Sequence, residues 1–409
     1  MMRKVKKIRT YTNNMHPKET CVKVLIALAV AACYSVCVWG ENIDVDKELA
    51  YCRQQTARTL KELSPIDYTK SPRNISPNGK HWNLRNVKTP EEWCAGFYPG
   101  VLWMCGQREE AARYTAELEY LAYTPVYDHD LGFIIIGSFM KGYEQTKDAH
   151  YKQVLLAAAD TLATLYNPRV GTLLSWPRNV KMFGGHNTII DNMINLELLL
   201  FSGKKENIEI AKRHADTTMK NQFRKDFTVY HVAVYDPVTG KHLRNCTHQG
   251  LGDNTLWSRG QAWAIYGYTM MYRYTHEKRY LEFAQRVTDA MLMRLPEDAI
   301  PWWDMDDPKI PNAYRDASAA AIIASGLIEV SEFVRNDAHD AKKADHYLNV
   351  AKKMLTTLSS ERYQSREKNT AFLMHSVGNM PAGTEIDYSI NYADYYYVEA
   401  LLRLKKLGK

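Results

Sequence analysis

Hydrophobic residues recur at helical spacing along most of the chain after residue 43. Residues 340–359 show the pattern well, because Ala344, Leu348 and Leu355 lie on one helical face between charged positions. Clusters of glycine, proline and asparagine separate such segments and indicate short turns. The pattern predicts about twelve helices, over residues 44–64, 90–105, 108–122, 131–145, 150–166, 187–201, 205–224, 256–275, 278–294, 314–335, 340–359 and 390–407.

The predicted helices alternate in character along the chain. Every second one is charged on one side, whereas the others are apolar nearly all round and must therefore be buried. The apolar helices are those at residues 90–105, 131–145, 187–201, 256–275, 314–335 and 390–407. Alternating buried and amphipathic helices predict six helical hairpins in two concentric rings. We therefore expect an all-α fold, an (α/α)6 barrel.

One stretch departs from helical spacing. Residues 227–235 are rich in β-branched and aromatic residues and are followed by the turn sequence DPVTG at residues 236–240. This order predicts a short β-hairpin inserted between helices. No linker-like segment divides residues 41–409, which we expect to form a single catalytic domain.

The net charge of +7 is concentrated at the N-terminus. Residues 1–40 contain seven lysines and arginines but only one acid, Glu19, so the rest of the chain carries about +1. A nearly neutral body removes the electrostatic basis for general nucleic-acid binding. We therefore expect no nucleic-acid partner.

The first forty residues have the pattern of an export signal. A basic stretch precedes the apolar run at residues 24–32, which is far too short to span a bilayer. Gly40 would suit ordinary cleavage before Glu41, whereas Cys33 after VAA would suit lipoprotein processing and a lipid anchor. We expect residues 1–40 to be a signal peptide and the mature protein to be periplasmic, either soluble or lipid-anchored.

The cysteines do not indicate a disulfide scaffold or a zinc site. Three of the seven lie before residue 41, and the other four are scattered without a CxxC pair: Cys52, Cys94, Cys105 and Cys246. We expect these four to be buried free thiols.

Two predicted inner helices open near an aspartate, Asp130 in one and Asp191 in the other. Aspartate is a favoured helix cap, so capping is the simpler interpretation for each residue alone. Asp191 and Asn195, however, share a helical face without neighbouring charges. A partly desolvated carboxylic acid there would keep its proton near neutral pH. Asp130 has His129 and Gly132 beside it, which leaves room for a ligand.

A third inner helix supplies a cation and an indole, Arg259 and Trp263. A guanidinium suits a planar carboxylate, and an indole face suits a sugar ring. Three alternatives stay open: core packing for Trp263, an ion pair with one of the aspartates for Arg259, and an ordinary strand position for His231. A set of further residues could bind the same ligand: Trp93, His129, His231, His248, Gln249, Trp302 and Tyr392. Together they predict a site for an acidic sugar.

The candidate Trp302 rests on local sequence alone. Trp302 and Trp303 follow Pro301, and we expect both indoles to be exposed. The tyrosines at 395–397 point all round one helix and are expected in the core. Other chemistries lack their signatures, since the chain has no HExxH motif, no P-loop and no GxSxG elbow. We therefore predict no metal site.

With these residues in place, the chain resembles the unsaturated glucuronyl hydrolases, glycoside hydrolase family 88. The resemblance runs from about residue 93 to residue 397 and rests on an ordered set of motifs. These are WCAGFYPG (93–100), HDLGF (129–133), DNMIN (191–195), WSRGQAW (257–263), DASAA (316–320) and GTEIDYSINYAD (383–394). The SRGQAW segment is shared with the related unsaturated rhamnogalacturonyl hydrolases.

The resemblance implies an (α/α)6 barrel that hydrates the C4=C5 enol ether of a terminal uronic acid left by a polysaccharide lyase. Asp191 would protonate C4 and then help water reach C5. Asp130 would orient the ring hydroxyls, and an ionised aspartate would help to stabilise the developing positive charge. The other candidates would bind the sugar, without a metal or organic cofactor. A rhamnogalacturonan-directed relative and a sugar-binding barrel without turnover are the alternatives.

Overall fold

The computed structural model describes residues 43–408, so the predicted signal peptide lies outside the described residues. Its helices fall within the predicted segments to within a residue or two at the ends, apart from the short α7, which was not predicted. They are α1 (Val45–Glu62), α2 (Phe97–Met104), α3 (Arg108–Ala116), α4 (Leu131–Ile135), α5 (Lys141–Thr146), α6 (Ala149–Ala163), α7 (Val180–Phe183), α8 (Asn192–Phe201), α9 (Lys205–Asn221), α10 (Ser258–Thr275), α11 (Lys278–Leu292), α12 (Ala317–Asn336), α13 (Ala341–Leu358) and α14 (Asn391–Lys406).

Six helical segments form a closed inner ring. Going round the ring, α2 is followed by α4 with α5, then by α8, α10, α12 and α14, and α14 packs back against α2. The amphipathic helices α3, α6, α9, α11, α13 and α1 cover this ring from outside. The ring places almost uninterrupted apolar surface in the core, which is why its helices read as apolar all round. The predicted (α/α)6 barrel is confirmed.

Three inner helical segments differ from their predicted form. The helix predicted at residues 90–105 begins only at Phe97, because residues 93–96 form turns. Residues 187–189 were expected in a helix, but His186–Ile189 is a strand, and the helix begins at Asn192. These residues form a strand rather than a helix because Thr188 and Ile189 are β-branched and pair with Ala233 and Val232. A π-helical turn at Ile136–Met140 joins α4 to α5 within the predicted segment 131–145.

The strands form three small antiparallel sheets. The strands are β1 (Lys70–Ile75), β2 (Asn83–Asn86), β3 (Tyr166–Asn167), β4 (Thr172–Leu173), β5 (His186–Ile189), β6 (Val232–Tyr235), β7 (His242–Cys246), β8 (Ser376–Asn379) and β9 (Thr384–Ile390). The predicted hairpin is confirmed as β6 and β7, and β5 extends it to three strands. The four-stranded sheet β2-β1-β9-β8 was not predicted, because β1 and β9 lie far apart in sequence.

Two further expectations about the core are met. The four described cysteines are buried free thiols, and the tyrosines at 395–397 are buried. Helix α12, with a mean hydropathy of 1.5, is the one described helix long and apolar enough to cross a membrane. Because 83% of that window is buried within the protein, its apolar character is explained by its place in the inner ring.

Candidate active site

Two carboxyl groups stand at the N-terminal end of the inner ring, at the starts of the neighbouring helices α4 and α8. Asp130 and Asp191 are 9% and 7% exposed, and both line one cavity. Neither caps its helix, whereas the Asp316 carboxylate accepts the Ser318 and Ala319 N–H groups at the start of α12. Capping therefore explains Asp316 but not Asp130 or Asp191.

The cavity beside these carboxyl groups has a volume of about 220 Å³. That is less than the roughly 300–1,000 Å³ of a site for a drug-sized ligand, and it suits one sugar ring. The structure brings six candidate residues together on its wall: Trp93, Asp130, Asp191, His248, Gln249 and Arg259. The inner helices converge here because their N-terminal ends all face the same end of the barrel.

His231 lies behind this wall with its proton position determined by the backbone. Its Nδ1 accepts the N–H groups of His248 and Gln249, each at 3.1 Å, so the neutral ring carries its proton on Nε2. Nε2 lies 3.7 Å from Oδ2 of Asp191. Burial, with the charge of Arg259 among the smaller causes, holds the pKa of His231 well below its usual value. A neutral N–H donor therefore faces Asp191.

His129 stands in a similar relation to Asp130. Its Nε2 lies 3.4 Å from Oδ1 of Asp130, and its Nδ1 lies 2.7 Å from Nδ2 of Asn195. Burial holds the pKa of His129 well below its usual value, so the ring is neutral. The helices α4 and α8 meet closely here, because a Cβ at Gly132 would lie 2.7 Å from the Asn195 Cα. Glycine is thus required for the close approach that carries Asn195 to His129.

The surroundings of Asp191 favour its protonated form. Burial raises its pKa from 3.8 to about 7, although the positive charge of Arg259 and the N–H of Trp263 act in the opposite direction. Its Oδ2 is buried and has no hydrogen-bond partner among the described residues. Asp191 thus retains a proton near neutral pH, which is what a general acid needs.

Asp130 also differs from an ordinary surface carboxylate. Burial is the largest cause that raises its pKa well above the usual value, and the charges of Asp128 and Asp191 add to it. The sequence interpretation placed an ionised aspartate beside the reacting ring. Both Asp130 and Asp191 instead favour the protonated form, because desolvation opposes their charge.

Arg259 combines an ion pair with a place on the cavity wall. Its side chain is 1% exposed and pairs with Asp316 at 3.1 Å. The guanidinium also donates to the carbonyl oxygens of Val377 and Gly378. The ion-pair alternative is therefore correct, but the partner is Asp316 rather than either cavity carboxyl group. Arg259 contributes a fixed positive charge behind Asp191.

The aromatic candidates divide between the wall and the core. Trp93 lines the cavity and packs on Tyr392 with ring centroids 5.1 Å apart. Trp263 is fully buried against Phe133, so core packing describes most of its surface. The Tyr392 hydroxyl has no hydrogen-bond partner among the described residues, and the Trp263 Nε1 meets no acceptor there at hydrogen-bond geometry, although its N–H still helps to lower the pKa of Asp191. Both groups therefore keep polar atoms unsatisfied beneath the cavity.

The expectation of two exposed indoles after Pro301 is wrong. Trp303 is only 2% exposed, and its Nε1 donates to Asp307. Trp302 is half-buried, with the guanidinium of Arg315 4.4 Å from its ring centroid. Trp302 is not among the cavity-lining residues. A loop position predicted exposure, but the loop pairs with the residues just before α12: Trp302 forms a β-bridge with Arg315, and the backbone N–H of Trp303 donates to the Tyr314 carbonyl.

Sequence reasoning missed one whole segment of the cavity wall, Trp176, Arg178 and Asn179. Trp176 contacts three imidazoles, with ring centroids 6.0 Å from His129, 6.2 Å from His231 and 5.2 Å from His248. The sequence SWPRN at residues 175–179 carried a signal, because a tryptophan beside proline in a turn is also what singled out Trp302. Asn379 and Ile189 complete the wall.

Residues 43–408 contain no group of three His, Cys, Asp or Glu side chains that could hold a metal ion. The wall combines a neutral imidazole, amides, indoles, two carboxyl groups with raised pKa values and two guanidinium groups. Such a set can bind an anionic sugar and transfer protons.

Comparison with known proteins gives a consistent family. Residues 80–408 match the model of Glycosyl Hydrolase Family 88. The chain is 40% identical over 363 residues to an unsaturated glucuronyl hydrolase from Formosa agariphila, covering 84% of this chain and 86% of that protein.

Solved structures show the same similarity in three dimensions. An unsaturated glucuronyl hydrolase specific for heparin has a TM-score of 0.81 and 37% identity, covering 89% of this chain and 97% of that one. A mutant of the Streptococcus agalactiae unsaturated glucuronyl hydrolase, complexed with dGlcA-GalNAc6S, has a TM-score of 0.73 and 25% identity. That match covers 90% of this chain and 93% of the other.

Proposed function

The chain belongs to glycosyl hydrolase family 88, and we propose that it removes the terminal 4,5-unsaturated uronic acid from oligosaccharides made by polysaccharide lyases. It is a glycoside hydrolase of the unsaturated glucuronyl type. The observation that carries the proposed chemistry is the buried carboxyl group of Asp191, whose pKa is raised to about 7 at the cavity wall.

We favour a glycosaminoglycan fragment as the substrate. One similar enzyme is specific for heparin, and another was crystallised with dGlcA-GalNAc6S. The cavity of about 220 Å³ suits one ring, so the unsaturated uronate would enter it and the remaining sugar would stay at the mouth. The amides and indoles of the wall would hold the ring by hydrogen bonds and stacking.

The first chemical step is protonation of the enol ether. The O–H of Asp191 gives its proton to C4, and the positive charge that develops is shared by C5 and the ring oxygen. Asp191 becomes a carboxylate 3.7 Å from the Nε2–H of His231. This neutral donor, together with the charge of Arg259, stabilises the carboxylate that the step produces.

The second step adds water at C5. The Asp191 carboxylate accepts a proton from the attacking water, so the acid is regenerated while a hemiketal forms at C5. The hemiketal opens to a ketone at C5, which frees a hydroxyl group on C1 and lets the glycosidic bond break. These steps need only proton transfers and water, and neither a metal ion nor an organic cofactor takes part.

The binding roles follow the positions of the side chains. The uronate carboxylate is bonded to C5, next to the carbon that Asp191 protonates. It therefore lies near Asp191 and is attracted by the positive charge of Arg259. Asp130 holds the ring hydroxyls, with the buried His129 positioning its carboxyl group from behind, and Trp93 presents its indole to the ring. These roles rest on the geometry of the cavity and on the resemblance to the family.

The test is the ultraviolet absorbance of the C4=C5 bond, which is conjugated to the carboxylate and is lost on hydration. Unsaturated disaccharides from chondroitin, heparin, hyaluronan and pectin are each mixed with purified protein. We expect loss of absorbance on at least one glycosaminoglycan disaccharide. Asp191→Asn should lower kcat by roughly 10²–10⁴-fold with a modest change in binding.

Asp160→Asn is the matched control, because Asp160 is an exposed aspartate on α6, paired with Lys204. This variant should keep wild-type kcat. Loss of absorbance only with the pectin disaccharide would favour the rhamnogalacturonan-directed activity. A flat trace on all four substrates, with disaccharide binding retained, would identify a sugar-binding barrel instead.

We also propose that the protein is exported, on the basis of its first forty residues. A basic stretch, the apolar run at residues 24–32 and the small residue Gly40 support this proposal. The mass and N-terminal sequence of protein recovered from the periplasm and from membranes would test it. A mature N-terminus at Glu41 indicates ordinary cleavage, and a lipid-modified Cys33 indicates an anchor. An unprocessed chain in the cytoplasm would contradict export.

A further inference from the structure

Arg178 stands at the mouth of the cavity as an accessible cation. Its side chain is 42% exposed, compared with 10% for Asp191 and 12% for Asp130. The other cation of the wall, Arg259, is 1% exposed and is engaged by Asp316 and two carbonyl groups. An anionic group on an entering sugar therefore meets Arg178 first.

The guanidinium of Arg178 is held in place by buried and aromatic groups. Its Nη1 donates to Oδ2 of Asp128 at 2.5 Å, and the other oxygen of Asp128 accepts the Asp130 N–H at 2.9 Å. The Tyr127 ring lies 4.6 Å from the guanidinium. No hydrogen bond within residues 43–408 engages Nε or Nη2 of Arg178. The Nη1 side of the guanidinium is therefore anchored to Asp128, and the N–H groups of Nε and Nη2 are available to a ligand.

The surroundings of Arg178 suit an anion. His248, Gln249 and Asn379 line the same cavity and carry no negative charge. Burial, followed by the charge of Arg178, lowers the pKa of His248, so this imidazole is neutral. Asp128 is the carboxylate that faces Arg178 directly, and it is occupied by the contacts just given.

Arg178 and Arg259 act on different parts of the cavity. Arg259 lowers the pKa of Asp191, against the larger effect of burial, whereas Arg178 acts in the same sense on Asp130. The carboxylate of an unsaturated uronate is attached to the reacting carbon C5, and it therefore lies on the Asp191 side, near Arg259. Arg178 is left for a second anionic group on the substrate.

We infer that Arg178 binds a sulfate ester of the substrate and makes the enzyme selective for sulfated lyase products. This inference rests on the proposed function, and it adds the class of substituent that the mouth recognises. The sulfate is carried either at O2 of the unsaturated uronate or on the adjoining amino sugar. Three sulfate oxygens and one negative charge match the free N–H donors of an anchored guanidinium.

The experiment compares disaccharides that differ only in sulfate. Binding is measured by calorimetry in the Asp191→Asn background, with an unsulfated unsaturated disaccharide, its 2-O-sulfated form and its 6-O-sulfated form. We expect one sulfated form to bind about tenfold more tightly than the unsulfated one, the gain of a charge-assisted hydrogen bond. Adding Arg178→Gln should reduce that ratio to about one. The form that loses its advantage locates the sulfate.

A control variant shows whether any loss of sulfate preference is specific to Arg178. Lys181→Gln removes an exposed cation three residues away that does not line the cavity, and it should leave the sulfate ratio unchanged. A sulfate ratio that Arg178→Gln leaves unchanged would overturn the inference, as would equal weakening of binding to all three disaccharides. The latter result would show that Arg178 only positions Asp128 and Asp130. Because binding is the readout, this outcome is independent of turnover, which tests the proposed function.

Discussion

Aspartate stands at the start of three inner helices, and its surroundings give it a different role at each. The Asp316 carboxylate is satisfied by two backbone N–H groups and by Arg259. Asp191 has a buried oxygen without a partner, so desolvation dominates and the proton is retained. Asp130 lies beside Asp128, whose charge adds to the effect of burial. Hydrogen bonding and burial, rather than residue type, separate a structural carboxylate from an acid.

The raised pKa of Asp191 predicts the pH dependence of the reaction. Protonation of C4 requires the acid form, so kcat/KM should fall about tenfold per pH unit above a pKa near 7. Initial rates of absorbance loss between pH 5 and pH 9 would measure this limb. Trp263→Phe removes an N–H that favours the carboxylate, so it should move the limb to higher pH. A limb near the ordinary aspartate value of 3.8 would contradict the assignment of Asp191 as the acid.

The inner helices position the site through the contacts between their starts. Helix α10 carries Arg259 and Asp316 caps the start of helix α12, so a buried ion pair joins the two helices beneath the cavity. The hairpin of β8 and β9 is tied to the same pair, because the carbonyl groups of Val377 and Gly378 accept from Arg259. Ends of elements that are far apart in sequence are thereby held in one arrangement.

Asp316→Asn should destabilise the protein by roughly 3–5 kcal/mol. Asparagine can still cap α12, but it leaves the buried guanidinium of Arg259 without a counter-charge. Urea unfolding followed by far-ultraviolet circular dichroism would give the change in the free energy of unfolding. Asp340→Asn, at the exposed cap of α13, is the control and should cost less than about 0.5 kcal/mol. Equal losses in both variants would show that the buried pair contributes little.

The whole barrel has two chemically different ends. The N-terminal ends of the inner helices surround the active-site cavity, whereas their C-terminal ends surround a second cavity of about 430 Å³. There Arg273 and Arg403 pair with a set of buried acids, Glu197, Glu329 and Glu399. Cations near helix C-termini also interact favourably with the helix dipoles. The paired charges hold the far end of the ring together, away from the chemistry.

Glu399→Gln should reveal this stabilisation through its pH dependence. Burial would raise the pKa of Glu399, but Arg403 and Lys141 outweigh it and lower the pKa from 4.5 to about 2. A carboxyl group with this depressed pKa contributes roughly 3 kcal/mol above pH 4.5, and the contribution is lost as pH falls towards 2. Urea unfolding of wild type and variant should therefore differ clearly at pH 7 and little at pH 2.5.

The exposed Glu361, paired with Arg366, provides the control for that comparison. Glu361→Gln should unfold like the wild type at both pH values, because exposed ion pairs contribute little. A Glu399→Gln variant whose stability deficit is the same at pH 7 and pH 2.5 would show that packing, and not charge, is lost.

The sequence by itself determined the barrel and the main chemistry. The alternation of buried and amphipathic helices is enough to indicate two rings, because burial on all sides leaves no other place for an all-apolar helix. The motifs around Asp130, Asp191 and Arg259 indicated an acidic-sugar site, because two carboxyl groups, a guanidinium group and indoles occur together at the starts of apolar helices. Such signals are local, and periodicity and short motifs record them directly.

Only the tertiary structure decided which side chains face the cavity and in which ionisation state. In the tertiary structure Trp303 is buried and Arg259 forms an ion pair with Asp316. Trp176 and Arg178 reach the cavity wall from a turn that carries no helical pattern. The tertiary structure also joins β1 to β9. Desolvation, ion pairing and strand pairing depend on neighbours from distant parts of the chain, so no local pattern encodes them. The proton on Asp191 is a property of the assembled barrel.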